Sequence, residues 1–107
     1  MPAGATVRPH RWSDVIDLYD DGTYSAIWGT YDDEDDGPSR CLGVRWNGRE
    51  GRPGYPNLAG NPVWYVEHRM VTGHILATLL DRVIRDHGMN DPRVANIRQA
   101  LADFQPL

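Results

Sequence analysis

Lysine is absent from this 107-residue sequence, and cysteine occurs only once, as Cys41. A single thiol excludes an internal disulfide and any zinc site built on several cysteines. The longest apolar run near a helical stretch, Ile75 to Leu80, is broken by Thr78. A membrane-spanning helix needs about 20 apolar residues, so none is expected. No basic start followed by an apolar stretch opens the chain, and no secretory signal is expected. Ser13, Ser25 and Ser39 lack a G-x-S-x-G elbow, and the glycines form no phosphate-cradling pattern at the start of a helix. These absences leave a soluble, cytoplasmic globular domain as the expectation, with no cofactor, no metal and no membrane partner.

What is present begins with charge. All 11 basic residues are arginine, and aspartate dominates the 15 acids, for a net charge of −4. An arginine- and aspartate-rich composition is what a GC-rich genome produces without selection on function. The charge is unevenly placed. Residues 1–37 carry two arginines against nine acids, whereas residues 38–52 carry four arginines against one glutamate. An overall negative balance disfavours general nucleic-acid affinity, which needs a broad positive face. Arg40 to Arg52 is the one segment that could serve it.

At 107 residues the chain is a single domain, 1–107, and scaling predicts about two-thirds of its surface buried on folding. Four tryptophans and five tyrosines supply core material without staples. Residues 1–9, with Pro2, Gly4 and Pro9, read as a flexible arm. Arg11–Asp20 and Thr23–Tyr31 are β-rich runs flanking Asp21-Gly22, a strong signal for a two-residue hairpin turn. That register sets Tyr19 against Tyr24, Ile16 against Ile27 and Val15 against Trp28. One face then carries Ile16, Leu18 and Ile27, the other Val15, Tyr19, Tyr24, Ala26 and Trp28. Two apolar faces suggest a sheet covered on both sides.

Asp32 to Pro38 reads as a connecting loop. Arg40–Trp46 reads as a third strand, with Leu42, Val44 and Trp46 opposite Cys41, Gly43 and Arg45. Pro62–His68 reads as a fourth. Between them, residues 47–61 form a long Gly/Pro-rich loop, a length that in a small domain suggests a lid, a binding loop or an interaction arm. Val71, Ile75, Leu76, Leu79, Leu80, Val83 and Ile84 recur at helical spacing until Gly88. Asp91-Pro92 supplies an N-cap and N1 proline for a second helix, striped by Val94, Ile97, Leu101 and Phe104 and ended by Pro106. The order β-β-β-β-α-α predicts an α+β fold: an antiparallel sheet of about four strands with two C-terminal helices on one face.

Several residue groups could carry chemistry. The acidic run 32–36 lacks the alternating ligand spacing of a calcium loop and reads as solvated. Glu67, His68 and His74 alone have metal-ligand or acid–base character, but they straddle a strand-to-helix junction. Cys41 has no histidine nearby to act as its base. No catalytic residue is assigned. The most suggestive grouping is Arg45, Trp46, Tyr55, Trp64 and Tyr65, in a segment that also holds Arg40, Arg49 and Arg52. Planar cations interleaved with aromatic rings suit an anionic or flat aromatic ligand. Trp46 and Trp64 border the long loop, and the alternative reading makes both of them core.

The stretches DDGTYSAIWGTY, RCLGVRWNG and GYPNLAGNPVWYVEHRMVTGHIL resemble small uncharacterised bacterial proteins carried on mobile gene cassettes, of the integron cassette type. The resemblance spans about residues 19–80 and includes no catalytic motif. It implies an accessory bacterial origin and no assigned activity. The reading that follows is a non-enzymatic binding module for a small anionic or aromatic molecule or a protein partner, using Arg45, Trp46, Tyr55, Trp64 and Tyr65. A small hydrolase using Glu67, His68 or His74 is one alternative, and nucleic-acid binding through Arg40–Arg52 another. A homodimer is expected, because two short helices cannot cover both faces of an aromatic sheet.

Overall fold

A computed structural model describes residues 11–33 and 35–104. The arm at 1–9, His10, Glu34 and Pro106 lie outside the described residues. The architecture is α+β. Strands β1 (Trp12–Asp20), β2 (Tyr24–Asp33) and β3 (Gly37–Trp46) form an antiparallel meander, and β6 (Tyr65–Val66) adds to β3, giving the order β1-β2-β3-β6. Between β3 and β6, the short strands β4 (Asn57–Leu58) and β5 (Asn61–Pro62) pair into a separate hairpin. Helices α1 (Arg69–His87) and α2 (Pro92–Asp103) close the chain.

The first hairpin departs from expectation at both ends. Its apex is Gly22–Thr23, one residue later than Asp21–Gly22, with the Asp21 amide donating to the Tyr24 carbonyl at 3.2 Å. The Asp21 carboxylate causes the shift by accepting from both the Thr23 and Tyr24 amides at 2.8 Å, an Asx-type closure. Gly22 sits at φ 90°, where a side chain would be strained. β1 then bulges twice, between Ser13 and Ile16 and between Asp17 and Tyr19. Asp14 takes up the first bulge in the left-handed region at φ 50°, and its carbonyl accepts from Arg40 Nη1 at 3.0 Å. Each extra residue shifts the side chains of β1 relative to β2 by one position. The expected faces are therefore corrected: Leu18 and Ile16 join Ala26, Trp28, Tyr19 and Tyr24 in one cluster, while Ile27 points to the opposite side.

β2 and β3 extend further than the sequence suggests, to a tight connection in which Asp33 pairs with Gly37. The stretch from Asp32 to Pro38 is thus largely strand. The alternation of β3 holds as expected. Leu42 and Val44 face the helices together with Leu76, Leu79, Val83, Val94, Ile97 and Ala100, and this is the main core. Helix α1 is capped by the His68 side chain accepting from the Met70 amide, and Gly88 closes its far end. Asp91 caps α2, with Pro92 in the first turn. α2 is tied to the sheet by Trp28 Nε1 donating to Asp103 at 3.1 Å and by Asn96 donating to the Asp17 carbonyl at 2.9 Å.

The segment 47–64 is not structureless. In the β4–β5 hairpin Ala59 and Gly60 both hold positive φ, the two-residue turn geometry expected instead at Asp21–Gly22. The fourth sheet strand shrinks accordingly to Tyr65–Val66, pairing with Val44 and Gly43. Trp46, beyond its reach, pairs with Tyr55. The chain crosses itself at Gly48 and Gly54, where a Cβ on Gly54 would run into the Trp46 carbonyl oxygen. On the second face of the sheet the chain itself supplies cover where this segment ends: Trp64 and Ile27 are buried together, with Trp12 packed against them.

Candidate functional site

β3 carries Arg45 and Trp46 side by side, and alternation sends them to opposite faces. Arg45 goes under the segment 47–64 and is 1% exposed. Its Nη1 donates to the Val63 carbonyl at 2.8 Å, and its Nη2 donates to the Pro53 carbonyl. The guanidinium is thus a clamp joining Pro53 and Val63 of that segment to the sheet, and its burial lowers its pKa. Neighbouring Asn47 is fully buried, accepting from Ser25 Oγ at 2.6 Å and donating to Asp20 at 2.9 Å, so the loop leaves β3 along a fixed path. Trp64 belongs to this covered side. Arg45 Nε and Trp64 Nε1 are buried there without a hydrogen-bond partner among the described residues.

Trp46 goes the other way and is 54% exposed. Its ring meets that of Tyr24, directly opposite on β2, at 5.2 Å between centroids and 64° between planes. Tyr55 and Tyr65 stand nearby, 65% and 50% exposed. Together Tyr24, Val44, Trp46, Tyr55, Pro56 and Tyr65, with Arg45 at the floor, line a hollow of about 160 Å³. Its position follows from strand length. Helices α1 and α2 cover the sheet over Leu42 and Val44, while Trp46 at the end of β3 is left exposed and Tyr24 packs partly buried against that core. The Tyr24 phenol is pushed up to about 12, first by its burial and then by the negative charge of Glu67.

The predicted constellation is therefore split by the sheet. Trp46, Tyr55 and Tyr65 converge. Trp64 and the guanidinium of Arg45 lie on the far side, inside the covered layer. Tyr24 joins the converging group although sequence reasoning did not name it, and its signal was the pairing of the two strand ends across β2 and β3. Of the other arginines, Arg40 is held by the Asp14 carbonyl, Thr30 and Asp103, with its guanidinium 5.9 Å from the Trp28 ring centroid. Arg49 and Arg52 are exposed and line a second hollow of about 550 Å³ with Gly48, Pro53, Gly54 and Asn57.

Glu67 and His68 are engaged at the start of α1, and His74 is exposed on that helix. His68 Nδ1 accepts from Met70 at 2.9 Å and Glu67 accepts from the His68 amide at 2.9 Å, both serving the start of α1. Among the described residues, no three of histidine, cysteine, aspartate and glutamate cluster closely enough to hold a metal ion. The half-buried Cys41 thiol hydrogen-bonds to the Ser39 side chain and carbonyl. No described helix is long and apolar enough to cross a membrane. Comparison with family models, with curated proteins and with solved structures gave no match.

Proposed function

We propose that the chain is a binding module that seats one small group, of a free ligand or of a partner protein, between Trp46, Tyr55, Tyr65 and Tyr24. One observation carries the reading: three exposed aromatic rings, Trp46, Tyr55 and Tyr65, surround a preformed hollow on the surface together with the partly buried Tyr24. Exposed tryptophan and tyrosine clustered in this way offer large, rigid contact area at small entropic cost, which is why such rings dominate binding hot spots. A hollow of about 160 Å³ is smaller than the ~300 Å³ at which drug-sized sites begin, so it suits one ring or head group. Arg45 gives no support to an anionic ligand, because its guanidinium is engaged with two backbone carbonyls. The hydrolase reading likewise lacks a free base at His68, whose Nδ1 caps α1.

The test is a fragment screen read on the backbone and indole signals of ¹⁵N-labelled protein. Compounds that bind should shift the Trp46 indole and the Tyr24, Tyr55 and Tyr65 amides as one group, and Trp46→Ala should abolish the shifts. No binder among ring and head-group fragments, or shifts that persist in Trp46→Ala, would remove the site.

A further inference from the structure

We infer that the group this hollow accepts is a methylated ammonium, a fixed positive charge with no N–H donors. The inference rests on the binding reading above and extends it to the chemistry of the ligand. The walls supply the first argument. Aromatic faces are electron-rich, tryptophan most of all, and attract a cation placed within about 6 Å of the ring centre. Trp46 and Tyr24 meet at a steep angle, so they form two adjoining walls rather than one stacked slab. Tyr65, paired with Val44, and Tyr55, paired with Trp46, stand on the remaining sides.

What the walls lack is the second argument. Val44 and Pro56 complete the lining, and proline offers no N–H. A carboxylate or phosphate would find only phenol hydroxyls and the Trp46 indole N–H as side-chain donors on these walls, with no cationic group among them. A primary ammonium has the opposite need: on losing its water it must place three N–H groups, and among the lining side chains only phenol oxygens could accept them. Methylation removes that requirement and keeps the charge.

The third argument is Glu67. Its amide donates to the Leu42 carbonyl at 2.9 Å, continuing the β6 pairing by one residue, so alternation returns Glu67 to the face of Tyr65 and Val44. It is half-buried. Its carboxylate accepts from the His68 amide, and no arginine pairs with it among the described residues. Its charge reaches the Tyr24 phenol. A half-buried carboxylate without an arginine partner among the described residues, on the face that carries these rings, creates a local negative potential. Arg45, the nearest positive charge by sequence, directs its guanidinium to the Val63 and Pro53 carbonyls behind the sheet.

Calorimetric titration of the whole chain at low salt tests this with choline, a trimethyllysine peptide and 3,3-dimethylbutan-1-ol. The last compound has the shape of choline with carbon in place of the charged nitrogen. Choline is expected to bind about fivefold or more tightly than the neutral compound, the scale of one cation–π contact. Trp46→Leu should erase that preference while leaving the neutral compound bound, and Glu67→Gln should weaken choline alone. Tyr65→Leu repeats the test should Trp46→Leu fold poorly, as checked by near-ultraviolet circular dichroism. Tighter binding of the peptide than of choline supports the inference with a protein as the source of the head group, and the reverse supports it with a free small molecule. Equal binding of choline and its neutral counterpart would overturn the cation and leave the aromatic pocket standing. Binding of neither would overturn both.

Discussion

Arg45 and Trp46 are neighbours in sequence, yet each occupies the environment that hydropathy would assign to the other. The arginine is 1% exposed and the tryptophan 54% exposed. On Arg45's side of the sheet, the guanidinium holds the carbonyls of Pro53 and Val63, and Trp64 is buried against Ile27. On Trp46's side, the helices stop short and the rings stand open to solvent. The contrast separates a charge that serves architecture from an apolar ring left available for a partner. Each inversion carries a cost: desolvation of a cation on one side, unburied aromatic area on the other. Only the first is offset within the chain, by hydrogen bonds. The second is left without compensation among the described residues.

Substitutions on the two sides should therefore behave oppositely. The largest effect is expected for Trp64→Ala, which empties the buried cluster with Ile27 and Trp12. Large-to-small changes of this kind cost about 3–5 kcal/mol, measurable as a shift in the urea unfolding midpoint at constant slope. Arg45→Met should follow at about 2–4 kcal/mol, because the Val63 and Pro53 carbonyls lose charge-assisted partners while the side-chain volume is kept. In that variant, limited proteolysis should cut first within residues 47–61. If Arg45→Met left both stability and cleavage unchanged, the clamp would be wrong and the contrast would collapse.

A smaller effect is expected at high pH on the open side. The folded pKa of Tyr24, at about 12, exceeds its ordinary value of 10.0. The fold thus favours the neutral phenol, and the stability it contributes is complete below pH 10 and lost as pH rises through 12. Absorbance titration of phenolate should show two raised tyrosines, Tyr19 and the later-ionising Tyr24, and Tyr24→Phe should remove the latter. Its persistence in Tyr24→Phe would mean another residue forms the shielded wall. The smallest change in stability, within about 0.5 kcal/mol, is expected for Trp46→Ala, as for other surface positions, even as ligand binding is lost. A large loss there would make Trp46 part of the core after all.

The parts of this fold legible in sequence are those governed by a regular period. The alternation of Leu42, Val44 and Trp46 against Gly43 and Arg45, and the helical stripes ending at Gly88 and beginning at Asp91-Pro92, follow from side-chain geometry alone. The parts that escaped depend on single residues leaving that period. Asp14 in a left-handed conformation and the second bulge beside Leu18 move β1 by two positions without any change in composition. Ala59 at positive φ makes a turn where no Asn-Gly or Asp-Gly marks it. For the site, composition identified the aromatic residues but not their faces, since Trp46 and Trp64 flank the loop symmetrically in sequence. Tyr24 was missed for a related reason: only the register across β2 and β3 brings it opposite Trp46.

The two irregularities in β1 have a further consequence. β1 is the outer strand of the sheet, and β6, the outer strand on the other side, is only two residues long. An outer strand with a regular row of unpaired amides and carbonyls is a template on which a further chain can add. The double bulge breaks that row and twists it, Asp14, Asp17 and Asp20 place negative charge along it, and the brevity of β6 leaves little to extend. Growth of the sheet into strand-on-strand polymers is thereby blocked in both directions. A second copy of this chain would have to meet the molecule face-on, where rings rather than backbone would do the recognising.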